Sequence, residues 1–286
     1  MKMEWINNHT VLIVGLGLIG GSYAMALKRI GYHVMAVDID PETIDYAVKN
    51  GIIDKGSVSA DEDILGSADC IIMALYPSKI VKWISDNQDK FKEGVIITDV
   101  TGIKTSVVYD IQKVLRPDAE FIAAHPMAGR EVYGVKNSDE KIFRDANFIV
   151  VPTEKNSQAS IKWCEDLGRL LGFKRVSVLS PEEHDSMIAF VSQLTHCIAV
   201  SLMTCDDNEH LCEYTGDSFR DLTRIANINE NMWPELFFMN KGPLLKRLDQ
   251  FIDEINVIKD MIANEDDEGL KEKMRLSSKR RRNFDK

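Results

Sequence analysis

Short apolar runs separated by helical stretches fill the first two thirds of this chain. VLIVG (11–15) is almost continuously hydrophobic, as expected of a strand buried on both faces. HVMAVD (33–38), CIIMAL (70–75), VIITDV (95–100), FIAAHP (121–126), FIVVP (148–152) and RVSVL (175–179) repeat the pattern. Helical stretches lie between them. PETIDYAVKNG (41–51) opens with Pro at a predicted first helical position and closes on Gly. Strand–helix alternation with apolar strands predicts a mostly parallel sheet with helices on both faces, a Rossmann-type α/β domain over residues 1–180.

From Pro181 the pattern changes, and no strand-like run follows. Residues 182–204 predict one long helix, apolar on more than one side and therefore buried. Leu244, Leu248, Phe251, Ile255, Ile258 and Ile262 form a heptad-like seam. Such a seam either packs into its own domain core or joins two subunits. Residues 181–286 are therefore expected to form an all-α domain. The acidic EDDE (265–268) predicts a solvated loop, and the basic KRRR (279–282) a solvated helix end.

Composition narrows the function. The chain has 286 residues, room for about two domains, and a net charge of −10. A surface that acidic argues against nucleic-acid binding and against adhesion to anionic membranes. No apolar run approaches the ~20 residues of a membrane span. MKMEWINNHT lacks the apolar core of a signal peptide, so a cytoplasmic location is expected. Five cysteines with no CxxC pattern predict buried free thiols and no metal site.

The candidate chemistry begins at Gly15-Leu-Gly17-Leu18-Ile19-Gly20, directly after a predicted strand and opening a helix. That context is the one a dinucleotide fingerprint requires. Gly15 permits the tight turn, Gly17 lets the backbone approach a pyrophosphate, and Gly20 lets helix and strand pack closely. Asp38 ends the second strand, where a carboxylate accepts the ribose hydroxyls and repels a 2′-phosphate. NAD is therefore expected over NADP. His125 lies at the carboxyl end of a strand, where open α/β sheets bind their ligands. A neutral imidazole there can accept a proton. His184 and His196 lie twelve residues apart on the long helix, each either a core histidine or a ligand contact. Arg220 and Arg224 share a helix face; each either grips a carboxylate or pairs with Asp217 or Asp221.

Together GLGLIGGS, TDVTGIK, HPMAGRE, SPEEHD, SQLTH, GDSFRDLTRIA and NENMWPELFFMNK resemble, in order and spacing, the prephenate/arogenate dehydrogenase family of tyrosine biosynthesis. The resemblance implies a Rossmann-type domain followed by a helical dimerisation domain. It implies NAD-dependent oxidative decarboxylation of prephenate to 4-hydroxyphenylpyruvate, with arogenate as the alternative substrate. On the family's pattern His125 is the catalytic histidine and Arg224 binds a substrate carboxylate. His196 lines the pocket, Glu131 stands near its mouth, and Gly216 and Trp233 lie on its helical side. Many relatives carry Ser at the position of Gly102, where its hydroxyl orients the histidine; Thr101 is the expected substitute here. Many also carry His where this chain has Gln193. No separate regulatory domain fits after the helical half, and no chorismate-mutase-like domain precedes residue 10, so a monofunctional enzyme is expected. A β-hydroxyacid dehydrogenase shares only the layout. An NAD-binding sensor without activity is expected to have lost His125 or Arg224, and both are present.

Overall fold

The computed structural model describes Trp5 and residues 9–284. Six parallel strands form the main sheet: β1 (Thr10–Val14), β2 (His33–Val37), β3 (Lys55–Ser57), β4 (Cys70–Met73), β5 (Ile96–Asp99) and β6 (Glu120–Phe121), in the order β3-β2-β1-β4-β5-β6. Side chains alternate across a strand, and β1 shows the result. Val11 and Ile13 enter the core on one face, Leu12 and Val14 the core on the other, and all four are buried. Helices α1 (Leu18–Arg29), α2 (Pro41–Lys49), α3 (Glu62–Leu65), α4 (Pro77–Asn87), α5 (Thr105–Val114) and α6 (Gln158–Leu170) connect the strands. The order reverses between β1 and β4, so a crevice opens beyond their carboxyl ends.

Of the last three expected strands, only the start of the first joins this sheet. FIAAHP breaks at Ile122. Its first part is β6, and its second, β7 (Ala123–Pro126), pairs antiparallel with β8 (Asn147–Val151). β9 (Arg175–Val178) runs parallel to β8 and completes a separate three-stranded sheet. An apolar run reports burial and says nothing of partner or direction. The three-residue strand β3 carries no apolar run and was not expected.

A buried ion pair joins the two sheets. Asp99 ends β5 and Lys104 follows it; both side chains are wholly buried, with Lys104 Nζ 2.6 Å from Asp99 Oδ2. Asp99 Oδ1 accepts the Ala124 N–H at 3.1 Å, and Lys104 Nζ donates to the Ala124 carbonyl at 2.6 Å. The strand that carries His125 is thereby fastened to the strand that precedes α5.

After β9 the described residues are helical. α7 (Pro181–Ile188) opens with a reciprocal Ser180–Glu183 capping box. It passes through a π-helical turn (Ala189–Leu194) into α8 (Thr195–Thr204). The short helices α9 (Leu211–Tyr214), α10 (Asp217–Thr223) and α11 (Trp233–Met239) follow. Contrary to expectation, the stretch Pro181–Thr204 is not buried throughout: Met187, Phe190, Val191 and Met203 are exposed. Its 24 residues are also long and apolar enough, by length and composition alone, to cross a membrane, which corrects the sequence estimate. Mid-stretch polar groups are nonetheless satisfied within the protein: Gln193 Nε2 donates to the Leu236 carbonyl at 3.0 Å. Among the cysteines, Cys70 and Cys164 are buried as expected, while Cys205 and Cys212 are exposed.

The residues up to Asn240 form one compact unit and those from Lys241 a second. The second comprises α12 (Lys241–Ala263) and α13 (Asp267–Arg281). Of the heptad-like seam only Leu244 is buried; Ile255 and Ile262 are exposed. The acidic segment is no loop: Asp266 caps α13 and Asp267 and Glu268 enter its first turn, with Lys279, Arg280 and Arg281 in its last. Both charge clusters suit the helix dipole.

The Asp99–Lys104 pair generates a test. Lys104→Met leaves a buried carboxylate without its counter-charge, which costs about 3–5 kcal/mol. Urea unfolding should show that loss, and a midpoint equal to the parent's would contradict it.

Candidate active site

The glycine loop joins β1 to α1 at the crevice. Gly15 adopts φ +94°, and a Cβ there would stand 2.6 Å from the Ala74 carbonyl oxygen. A Cβ on Gly20 would meet the Gly15 carbonyl oxygen at 2.0 Å, so helix and strand could not approach as they do. Gly17 differs: a Cβ would touch nothing within 4 Å. Its backbone faces open space at the start of α1, where no side chain caps the helix and the first turn carries no acid. Leu18 and Ile19 supply the first helical N–H groups. Such a terminus attracts an anion. Asp38 closes the loop from β2: its Oδ2 accepts the Leu16 N–H at 2.7 Å and its Oδ1 the Asp40 N–H at 3.0 Å. Each oxygen keeps a lone pair for a further donor. Glycines and carboxylate together fit a dinucleotide.

His125 occupies the carboxyl end of β7 and is half-buried. Its Nδ1 lies 2.9 Å from His184 Nε2, and His184 Nδ1 lies 2.8 Å from Asp185 Oδ1. Gly102 adjoins the other edge of the His125 ring; a Cβ there would lie 3.8 Å from Nε2 and from Cε1. Burial pushes the His125 pKa well below its ordinary value, and His184 and Lys104 push it the same way. Burial lowers His184 too, against the opposing pull of Asp185. Both rings are therefore neutral at physiological pH. The expected hydroxyl partner is replaced. Thr101 Oγ1 donates its proton to Asp99 Oδ2 and also lies 2.9 Å from the Ile103 carbonyl oxygen, so it serves the buried ion pair. The ring beside His125 is that of His184.

The helical half carries the remaining expected residues. His196 Nδ1 donates to the Ser192 carbonyl at 2.9 Å, and its ring stacks on Trp233 with centroids 3.7 Å apart. Burial lowers its pKa. Arg224 binds Glu131, with Nη1 2.7 Å from Oε1. This guanidinium is largely exposed, so its charge is available at the surface. Arg220 lies 3.7 Å from Asp217, the local pairing weighed from the sequence. Gly216 is exposed at the start of α10. The structure thus joins Arg224 to Glu131 and His196 to Trp233. The sequence reading weighed His184 without giving it a role and passed over Asp185, Asp99 and Lys104, although all four fall inside the TDVTGIK and SPEEHD segments that carry the resemblance.

The histidines set a pH dependence. A histidine with a lowered folded pKa binds its proton more readily in the unfolded chain. Stability is then full above the unfolded value of about 6.5 and declines as pH falls below it. Hydrogen bonds from His184 and Thr105 overcome the effect of burial and hold Asp185 below the usual carboxylate range, so its contribution is lost at lower pH still. The thermal midpoint should therefore be higher at about pH 7.5 than at about pH 5.5 at fixed ionic strength. A flat profile over that interval would contradict the neutral assignment.

Comparison with known proteins bears on the whole chain. A family model described as "Prephenate dehydrogenase, nucleotide-binding domain" matches residues 23–179, and one described as "Prephenate dehydrogenase, dimerization domain" matches 180–276. A prephenate dehydrogenase of Bacillus subtilis is 32% identical over 91% of this chain and 72% of its own length. A cyclohexadienyl dehydrogenase of Zymomonas mobilis is 28% identical over 95% and 94%. The crystal structure of prephenate dehydrogenase from A. aeolicus in complex with hydroxyphenyl propionate and NAD+ superposes with a TM-score of 0.90 at 30% identity, covering 98% of this chain and 100% of that one. This chain belongs to the prephenate dehydrogenase family.

Proposed function

We propose that this chain catalyses the NAD-dependent oxidative decarboxylation of prephenate to 4-hydroxyphenylpyruvate and CO2. The observation that carries the reading is a neutral histidine, His125, with one ring edge bonded inside the protein and the other beside side-chain-free Gly102. Gly15, Gly17, Leu18, Ile19 and Gly20 would hold the dinucleotide's pyrophosphate at the α1 terminus, and Asp38 its ribose. Bound there, NAD+ supplies a hydride acceptor. His125 takes the proton of the ring hydroxyl as C4 is oxidised. Departure of the ring carboxylate as CO2 makes the ring aromatic, which drives the reaction. The protein's task is then orientation and one proton transfer.

Arg224 is the cation for a substrate carboxylate, which would take the place Glu131 holds on the guanidinium. His196, braced by Trp233, and Gly216 line the same side. We further infer that residues 181–286 serve as the substrate and dimerisation domain. The exposed apolar residues of Pro181–Thr204 and of the α12 seam support a second copy of the chain as the partner. For such a biosynthetic step we propose a cytoplasmic location.

The direct test is NADH formation with prephenate and arogenate side by side. Turnover of prephenate is expected, with NAD+ preferred to NADP+ by about tenfold or more in kcat/KM, ~1.4 kcal/mol. Activity confined to arogenate, or equal use of NADP+, would overturn the respective assignment. The site residues separate kinetically. His125→Asn should lower kcat by roughly 100-fold with NAD+ binding retained. Arg224→Ala should raise the prephenate KM by roughly 10- to 100-fold with the KM for NAD+ little changed. An Arg220→Ala variant more damaging than Arg224→Ala would move the carboxylate to the other arginine.

A further inference from the structure

Hydrogen-bond chemistry settles which nitrogen of His125 carries the proton. Asp185 lies at the N-terminus of α5, where its Oδ1 accepts the Lys104 N–H and its Oδ2 the Thr105 N–H, each at 2.8 Å. Two backbone donors and the positive helix end keep it ionised, and an ionised carboxylate only accepts. The 2.8 Å contact between His184 Nδ1 and Asp185 Oδ1 is therefore an N–H donated by His184. His184 is wholly buried and neutral, so its Nε2 carries a lone pair. The 2.9 Å contact from that Nε2 to His125 Nδ1 must then be an N–H donated by His125. A neutral His125 with its proton on Nδ1 has a bare Nε2, the nitrogen beside Gly102.

We propose that His184 and Asp185 are positioning residues that fix His125 in its Nδ1–H tautomer and so aim a bare Nε2 at the reacting hydroxyl. The role rests on the activity proposed above. It also accounts for Gly102: orientation comes from behind the ring, and no hydroxyl is needed in front of it. When His125 gains the substrate's proton on Nε2, its Nδ1–H already points to an acceptor backed by the Asp185 carboxylate. The other ionic groups packed nearby are Lys104 and Asp99, paired with each other, with Lys104 Nζ also 3.1 Å from Thr101 Oγ1. Neither contributes a hydrogen bond to either imidazole.

The test reads the tautomer itself. Imidazole nitrogen NMR of the labelled full-length protein, without substrate or cofactor, should show His125 with a protonated Nδ1 and a bare Nε2. Free histidine prefers the opposite tautomer, so the result is diagnostic. His184→Leu removes the acceptor; His125 should shift toward the Nε2–H form. Its kcat should fall by about 30-fold or more, while KM for prephenate and NAD+ stays within about threefold. His184→Gln, whose amide oxygen can accept the same N–H, should restore most of kcat and the Nδ1–H tautomer. An Nε2–H tautomer in the parent would overturn the proposal, as would a folded His184→Leu variant with kcat within about twofold of the parent. Should the leucine variant fail to fold, the parent spectrum and the glutamine variant still decide. A parent that carries the Nδ1–H tautomer yet leaves prephenate unoxidised would refute the assigned reaction and leave the hydrogen-bond relay standing.

Discussion

The placement of the candidate active site depends on two charges that water never reaches. Asp99 and Lys104 are wholly buried, a state such groups tolerate only when paired and fully hydrogen-bonded. Asp99 accepts from the Thr101 N–H, the Thr101 hydroxyl, the Ala124 N–H and Lys104. Lys104 Nζ reaches Asp99, Thr101 and the Ala124 carbonyl, which uses all three ammonium protons. An apolar pair of equal volume could fill this space with no loss of stability. It could not dictate where the Ala124 peptide lies, and His125 is the next residue.

The helical half is tied to the same point by polar contacts. Asp185 holds the backbone of Lys104 and Thr105, while Asn240 Nδ2 donates to the Asp185 carbonyl at 2.9 Å and to Gln193 Oε1 at 2.7 Å. Gln193, in the π-helical turn, donates in turn to the Leu236 carbonyl. Buried polar groups that satisfy one another restrict geometry more tightly than apolar contacts, because a small shift leaves a donor unpaired. A continuous path of hydrogen bonds thus runs from the end of β5 through α7 to the end of α11.

Much of this was legible in the sequence, for identifiable reasons. The glycine loop could be read because Gly15 and Gly20 answer backbone demands that no other residue meets. The buried strands could be read from their apolar runs, but the break at Ile122 could not, since both halves are equally apolar. Thr101 was misread because adjacency in sequence does not fix direction: its hydroxyl turns inward to Asp99, while the Cβ position of Gly102 adjoins His125. Lys104 escaped notice because lysine is almost never fully buried. The Arg224–Glu131 pair spans 93 positions, and only the resemblance hinted that both belong to one site.

The stacking of His196 on Trp233 gives the helical half of the protein an optical signal. An imidazolium quenches an excited indole more strongly than a neutral imidazole does, and these rings are in van der Waals contact. The other tryptophans have apolar or aromatic neighbours elsewhere: Trp5 stacks on Trp163, and Trp83 on Phe91. Emission from Trp233 thus reports the charge on His196 and the arrival of any molecule that parts the two rings, with no label added.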